Sequence, residues 1–105
     1  MSEFFYQIIM RTPIGAKHGV MSAQIDGTNL SGNIELLKHR EPFTGTINGR
    51  GDCTITGRLV TLMRTIPFSG NGRIDADSVF LSIDGGRERF VIEGFPAPTK
   101  KEPAL

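Results

Sequence analysis

The sequence predicts an all-β fold: eight strands in an antiparallel up-and-down meander, closed or nearly closed into a barrel, with a two-sheet β-sandwich as the alternative. The first observation is a glycine period. Gly19, Gly32, Gly45, Gly57 and Gly70 stand 13, 13, 12 and 13 residues apart, and Gly94 follows at about twice that spacing. Four of these glycines end the same short word, an apolar residue, a hydroxyl residue and glycine: Leu30-Ser31-Gly32, Phe43-Thr44-Gly45, Ile55-Thr56-Gly57 and Phe68-Ser69-Gly70. A further observation is that short alternating segments are separated by tight turn signals, and no long window carries a helical period; regular short strands of this kind mark sandwiches and barrels.

Strand one alternates Phe4, Tyr6, Ile8 and Met10 with Phe5, Gln7, Ile9 and Arg11, and Pro13 and Gly15 end it. Strand two carries Gly19, Met21, Ala23 and Ile25 on one face. The Asp26-Gly27 step is a strong hairpin signal and leads into Leu30, Gly32, Ile34 and Leu36. Strand four places Phe43, Gly45 and Ile47 inward, and Asn48-Gly49-Arg50-Gly51-Asp52 turns it into Cys53, Ile55, Gly57 and Leu59. Ile66, Phe68, Gly70, Gly72 and Ile74 define strand six, Val79, Leu81 and Ile83 strand seven, and Phe90, Ile92 and Gly94 strand eight. Residues 1–95 form a single domain, and 96–105, with three prolines and no alternation, read as an extended tail.

The glycines fall on the inward face of their strands. A glycine inside a strand costs about 0.5–1 kcal/mol relative to alanine, so a belt of them implies that neighbouring backbone or the opposite wall comes too close for a Cβ. A lumen filled by Phe43, Phe68, Phe90 and the branched aliphatics is the expected consequence, with a ligand-sized cavity as the alternative.

With 12 basic against 11 acidic residues, the net charge of +1 gives no global field for nucleic acid or an anionic membrane surface. The apolar runs are far shorter than the ~20 residues of a membrane-spanning helix. Cys53 is the one cysteine, so no internal disulfide forms. Phe4 to Met10 lacks the basic start and small-residue cleavage site of a secretory leader, which leads to the expectation of a cytoplasmic protein.

Sorting the loops by barrel end gathers Lys17, His18, Lys38, His39, Arg40, Arg64 and Arg87 at one rim, with Glu41, Asp84 and Glu88, and leaves Asp26, Asp52, Asp75 and Asp77 at the other. A cationic rim on a small barrel suits a small anionic or amphipathic ligand. His18, His39 and Glu41 also make a formal two-histidine, one-carboxylate set for a metal-assisted enzyme. Cys53 lies at the opposite end from both histidines, on the order of 25 Å away, which speaks against a Cys-His dyad and for a buried small hydrophobe. Arg50-Gly51-Asp52 reads as the polar turn of a hairpin. No residue pattern names a catalytic group or a cofactor, so the leading expectation is a non-enzymatic binding module. A further alternative is homodimerisation, or docking of a partner, through Val60, Leu62, Met63 and Ile66, where the alternation breaks and Pro67 withholds a ladder donor.

The segments Leu36-Leu37-Lys38-His39-Arg40-Glu41-Pro42-Phe43-Thr44-Gly45-Thr46-Ile47 and Thr61-Leu62-Met63-Arg64-Thr65-Ile66 resemble segments of small bacterial proteins of similar length that carry no known activity. The resemblance implies a bacterial origin and a shared fold and transfers no site. The layout also resembles the eight-stranded calycin barrels, though the chain has no Trp and therefore lacks the Gly-x-Trp opening of lipocalins.

Overall fold

Eight strands follow one another around a closed barrel: β1 (Ser2–Thr12), β2 (Gly15–Asp26), β3 (Asn29–Leu36), β4 (His39–Ile47), β5 (Asp52–Val60), β6 (Thr65–Ile74), β7 (Val79–Asp84) and β8 (Arg89–Pro96). This computed structural model describes residues 2–13, 15–36, 39–60, 65–86 and 88–97; for His39, Leu59 and Val60 it describes the backbone. Every neighbouring pair is antiparallel, and β1 closes the ring by pairing with β8 from Tyr6↔Pro96 to Arg11↔Val91. The barrel, and not the sandwich, is therefore the fold.

The register fixes the barrel's girth. From Ser2 the partners run through Ile25, Leu30, Gly45, Ile55, Gly70 and Ile83 to Phe90, which stands one step past the Arg11↔Val91 pair and so faces Thr12, ten residues along β1 from the start. Such a stagger in eight strands goes with a tilt of about 35–45° and a lumen just wide enough for side chains.

That lumen is filled. Tyr6, Ile8, Met21, Leu30, Ile34, Phe43, Ile55, Phe68, Leu81 and Ile92 are all buried in one cluster, and no buried polar or charged residue occurs among the described residues. Each branched or aromatic side chain so enclosed contributes about 1.5–3 kcal/mol. The glycines make the fit possible. Gly45 pairs with Leu30 and Ile55, and Gly57 with Phe43 and Phe68, so these two inward glycines are flanked by bulk on both sides, while Gly32 has Phe43 on one side and Ala23 on the other.

The end bearing the β2–β3, β4–β5 and β6–β7 connections is knit by hydrogen bonds. Gly27 takes φ +66° in the Asp26-Gly27 turn, a conformation that favours glycine. Asn48 Oδ1 accepts from the amides of Arg50 and Asp52, and Asp75 Oδ1 from those of Asp77 and Ser78. The turns also bond one another, Ile47 N to Thr28 O at 3.0 Å and Ile74 N to Gly51 O at 2.9 Å. Inside, the Tyr6 hydroxyl donates to the Asp75 carbonyl at 2.5 Å. Of the aspartates that the sequence collects at this rim, Asp75 serves as a turn acceptor.

The strand-to-tail boundary differs from the sequence expectation. Pro96 belongs to β8, and Ala97 N donates to Phe5 O at 2.8 Å. Donors toward β1 therefore fall on the odd residues of β8, so the missing amide of Pro96 costs the ladder nothing. Residues 98–105 lie outside the described residues.

Candidate functional site

Strand alternation decides which loop-end residues face the lumen. On β2, Met21 and Gly19 point inward, so Lys17 takes the next inward position, opposite Met10, while His18 stands opposite the outward Ile9. On β4, Phe43 is buried against Gly32, which puts Glu41, opposite Ile34, and the His39 position, opposite Leu36, on the inward side. Arg40 falls between them and faces out. Lys17 and Glu41 are half-buried, whereas His18 and Arg40 are exposed, as those directions require.

The rim expected from sequence is therefore divided by the barrel wall. Lys17 and the His39 position face the lumen, and His18 and Arg40 lie on the outer surface. Arg40 is also engaged, its guanidinium bonding Glu35 through Nε at 2.7 Å and Nη2 at 2.6 Å. Lys38, Arg64 and Arg87 lie outside the described residues. The two-histidine, one-carboxylate metal reading loses its geometry, because His18 is on the opposite face of the sheet from Glu41 and the His39 position. No group of three or more His, Cys, Asp or Glu residues able to hold a metal ion exists among the described residues.

Seen around the barrel, the inward positions have a simple pattern. From the turn end through the middle they are apolar residues or glycine, apart from Ser2 at the start of β1, the hydroxyl of Tyr6 and the thiol of Cys53. The charged ones, Lys17 and Glu41, both stand at the loop end, with the Thr12 hydroxyl beside them. Beneath lie Met10, Leu36 and Phe90, all buried. The His39 backbone is level with Gly19, two residues from Lys17, so the two positions stand about 12 Å apart at the usual strand spacing and rise. The arrangement is a polar collar on an apolar floor.

Ile66 belongs to this floor. It stands opposite Leu59 in the inward phase and is half-buried, with its Cγ2 3.6 Å from where a Cβ on Gly85 would be. It therefore faces inward and does not join an outward interface; the Val60 side chain, Leu62 and Met63 lie outside the described residues. Pro67 sits two residues beyond the last β6–β7 pair, Ser69↔Asp84, on the stretch of β6 that β7 leaves uncovered, as its missing donor demands.

Cys53 is buried at the turn end between Ile47 and Gly72. Burial, the largest cause, pushes its thiol up to about 11; the Asp52 charge adds to this, and a hydrogen bond with the Gly72 backbone opposes it. A thiol held protonated is a poor nucleophile.

The outer wall carries apolar residues of its own. Val20, Phe80 and Phe95 are large apolar residues at 41%, 51% and 69% exposure. A shallow groove of about 320 Å³ also runs over Ser22, with Phe5 and Val20 among its lining residues and Asn33 on its far side. The sequence signal was strand one, which is apolar on both faces.

Comparison of this chain with protein-family models, with curated proteins and with solved structures finds no match.

Proposed function

We propose that this protein is a non-enzymatic binding module that takes a small anionic or amphipathic ligand at the loop end of its barrel. The observation that carries this reading is the segregation of the charged inward positions, Lys17 and Glu41, to that one end. There the Lys17 ammonium faces the lumen above Met10, Leu36 and Ile66. A cation beside a low-dielectric wall favours a carboxylate or phosphate, and the apolar floor favours a ligand with a nonpolar part. The filled lumen restricts the ligand to the collar, so its head and first few carbons are what the site accommodates. A lone buried thiol suits a reducing, cytoplasmic setting.

Thermal shift with fatty acids, nucleotides and sugar phosphates tests the reading, since a ligand that binds only the folded state raises its melting temperature. The shift is expected to shrink with added salt and to be lost in Lys17→Ala but kept in His18→Ala, its neighbour on the other face of β2. If no anion stabilises the parent, or Lys17→Ala responds as the parent does, the collar is only a solvated end.

A further inference from the structure

On the outer wall, Gln7 is surrounded by apolar side chains on all four sides. Its cross-strand neighbours are Phe95 on β8 and Val20 on β2, and Phe5 and Ile9 flank it along β1 on the same face. Lateral neighbours in a sheet lie about 5 Å apart and same-face neighbours along a strand about 7 Å, so the five side chains form one continuous patch. The Gln7 amide is exposed and has no side-chain partner among the described residues. Charges border the patch: Arg11 pairs with Glu93 at 3.1 Å and Arg40 with Glu35, while Glu3 accepts from the Gln24 amide.

We infer that this β8–β1–β2 face is a two-fold interface between two copies of the chain. An apolar centre inside a polar rim is the anatomy of a protein interface. Two properties select a second copy as the occupant. A carboxamide carries both a donor and an acceptor, so across a two-fold axis the amides of two Gln7 residues satisfy each other, as an isologous contact requires. Most of the rim charge is matched, because Arg11 and Arg40 each already hold a carboxylate and only Glu3, bonded to the Gln24 amide, has no cation partner among the described residues; two identical faces therefore meet with little like-charge repulsion. A strongly acidic partner would find both of these arginines already paired. This contact is independent of the ligand reading, since the collar faces the lumen and Gln7 faces away from it.

Sedimentation velocity across micromolar to millimolar protein reads the equilibrium directly. The parent is expected to pass from monomer to dimer. Gln7→Glu, which sets two carboxylates against each other on the axis, and Phe95→Asp are each expected to raise the dimer dissociation constant at least about tenfold. Both positions are exposed, so their circular dichroism spectra should match the parent. Thr56→Asp, on the far wall of the barrel, should leave the dimer unchanged. A parent that stays monomeric at millimolar concentration overturns the inference. So does a dimer that both Gln7→Glu and Phe95→Asp leave intact, which would seat the contact elsewhere.

Discussion

Phe43 reaches across to Gly32, its cross-strand partner, and its Cζ lies 2.7 Å from where a Cβ at position 32 would be. Phe68 stands in the same relation to Gly57, at 2.6 Å. The two rings fill the lumen by lying over bare backbone, and the glycine is what lets the ring down. Because the flanking strands carry bulk at the paired positions, the glycine period read in the sequence is the spacing at which the meander repeats this motif.

Gly45→Val should destabilise the barrel by at least about 2 kcal/mol, and Gly57→Val likewise, read as a fall in urea midpoint. At position 45 the obstacle is backbone: the Thr54 carbonyl occupies the space, and Ile55 Cα is 2.8 Å from the new Cβ. At position 57 it is the Phe68 ring and the Pro42 carbonyl. Gly49 is the internal comparison, since nothing lies within 4 Å of a Cβ there; Gly49→Ala should stay within about 0.5 kcal/mol of the parent. Equal midpoints for all three variants would remove the packing account of the glycines.

Tyr6→Phe keeps the buried ring and deletes the hydroxyl that donates to the Asp75 carbonyl. The acceptor is then left without that donor at the closed end, a loss of about 1–2 kcal/mol by equilibrium unfolding. A variant as stable as the parent would mean that water replaces the hydroxyl at no cost.

Alkaline pH should unfold the protein through the same groups. Burial, followed by the charges of Asp75 and Cys53, raises the Tyr6 phenol from 10.0 to about 12, and Cys53 rises from 9.0 to about 11. Both are neutral when protonated, so between these values the folded state holds protons that the unfolded state has released. Their contribution is intact below about pH 9 and is lost as pH climbs toward about 12. Urea midpoints measured across that window should fall, and the double variant Tyr6→Phe, Cys53→Ala should flatten the decline. A profile of equal slope in the double variant would assign the loss to other groups.

The fold was legible because its constraint is periodic: an inward glycine flanked by apolar partners repeats on strand after strand, and the turns Asp26-Gly27 and Asn48 to Asp52 punctuate it. The site was legible only to the level of an end of the barrel. Grouping Lys17 with His18, and His39 with Arg40, by loop ignores that adjacent residues in a strand face opposite sides. Carrying the alternation outward from Gly19 and Phe43 to the strand ends separates them without coordinates. The Gln7 patch escaped notice for a different reason. Phe5, Ile9, Val20 and Phe95 come from three strands, and only the β1–β8 closure and the register place them around one residue. The end of β8 is hidden for a local reason: a proline reads as a break, but the ladder needs no donor at position 96.

Arg40→Ala separates the two ideas of the loop end. If the basic residues there acted as one rim, removing this guanidinium would weaken anion binding as much as removing the Lys17 ammonium. The structure turns Arg40 away from the lumen and binds it to Glu35, with both side chains well exposed. An exposed pair of this kind contributes about 0–1 kcal/mol, so Arg40→Ala should lower the urea midpoint only slightly. Its thermal shift with any anion that stabilises the parent should equal the parent's, while Lys17→Ala loses that shift. Parallel losses in Arg40→Ala and Lys17→Ala would restore the single rim and place the ligand over the barrel's edge, in reach of both faces.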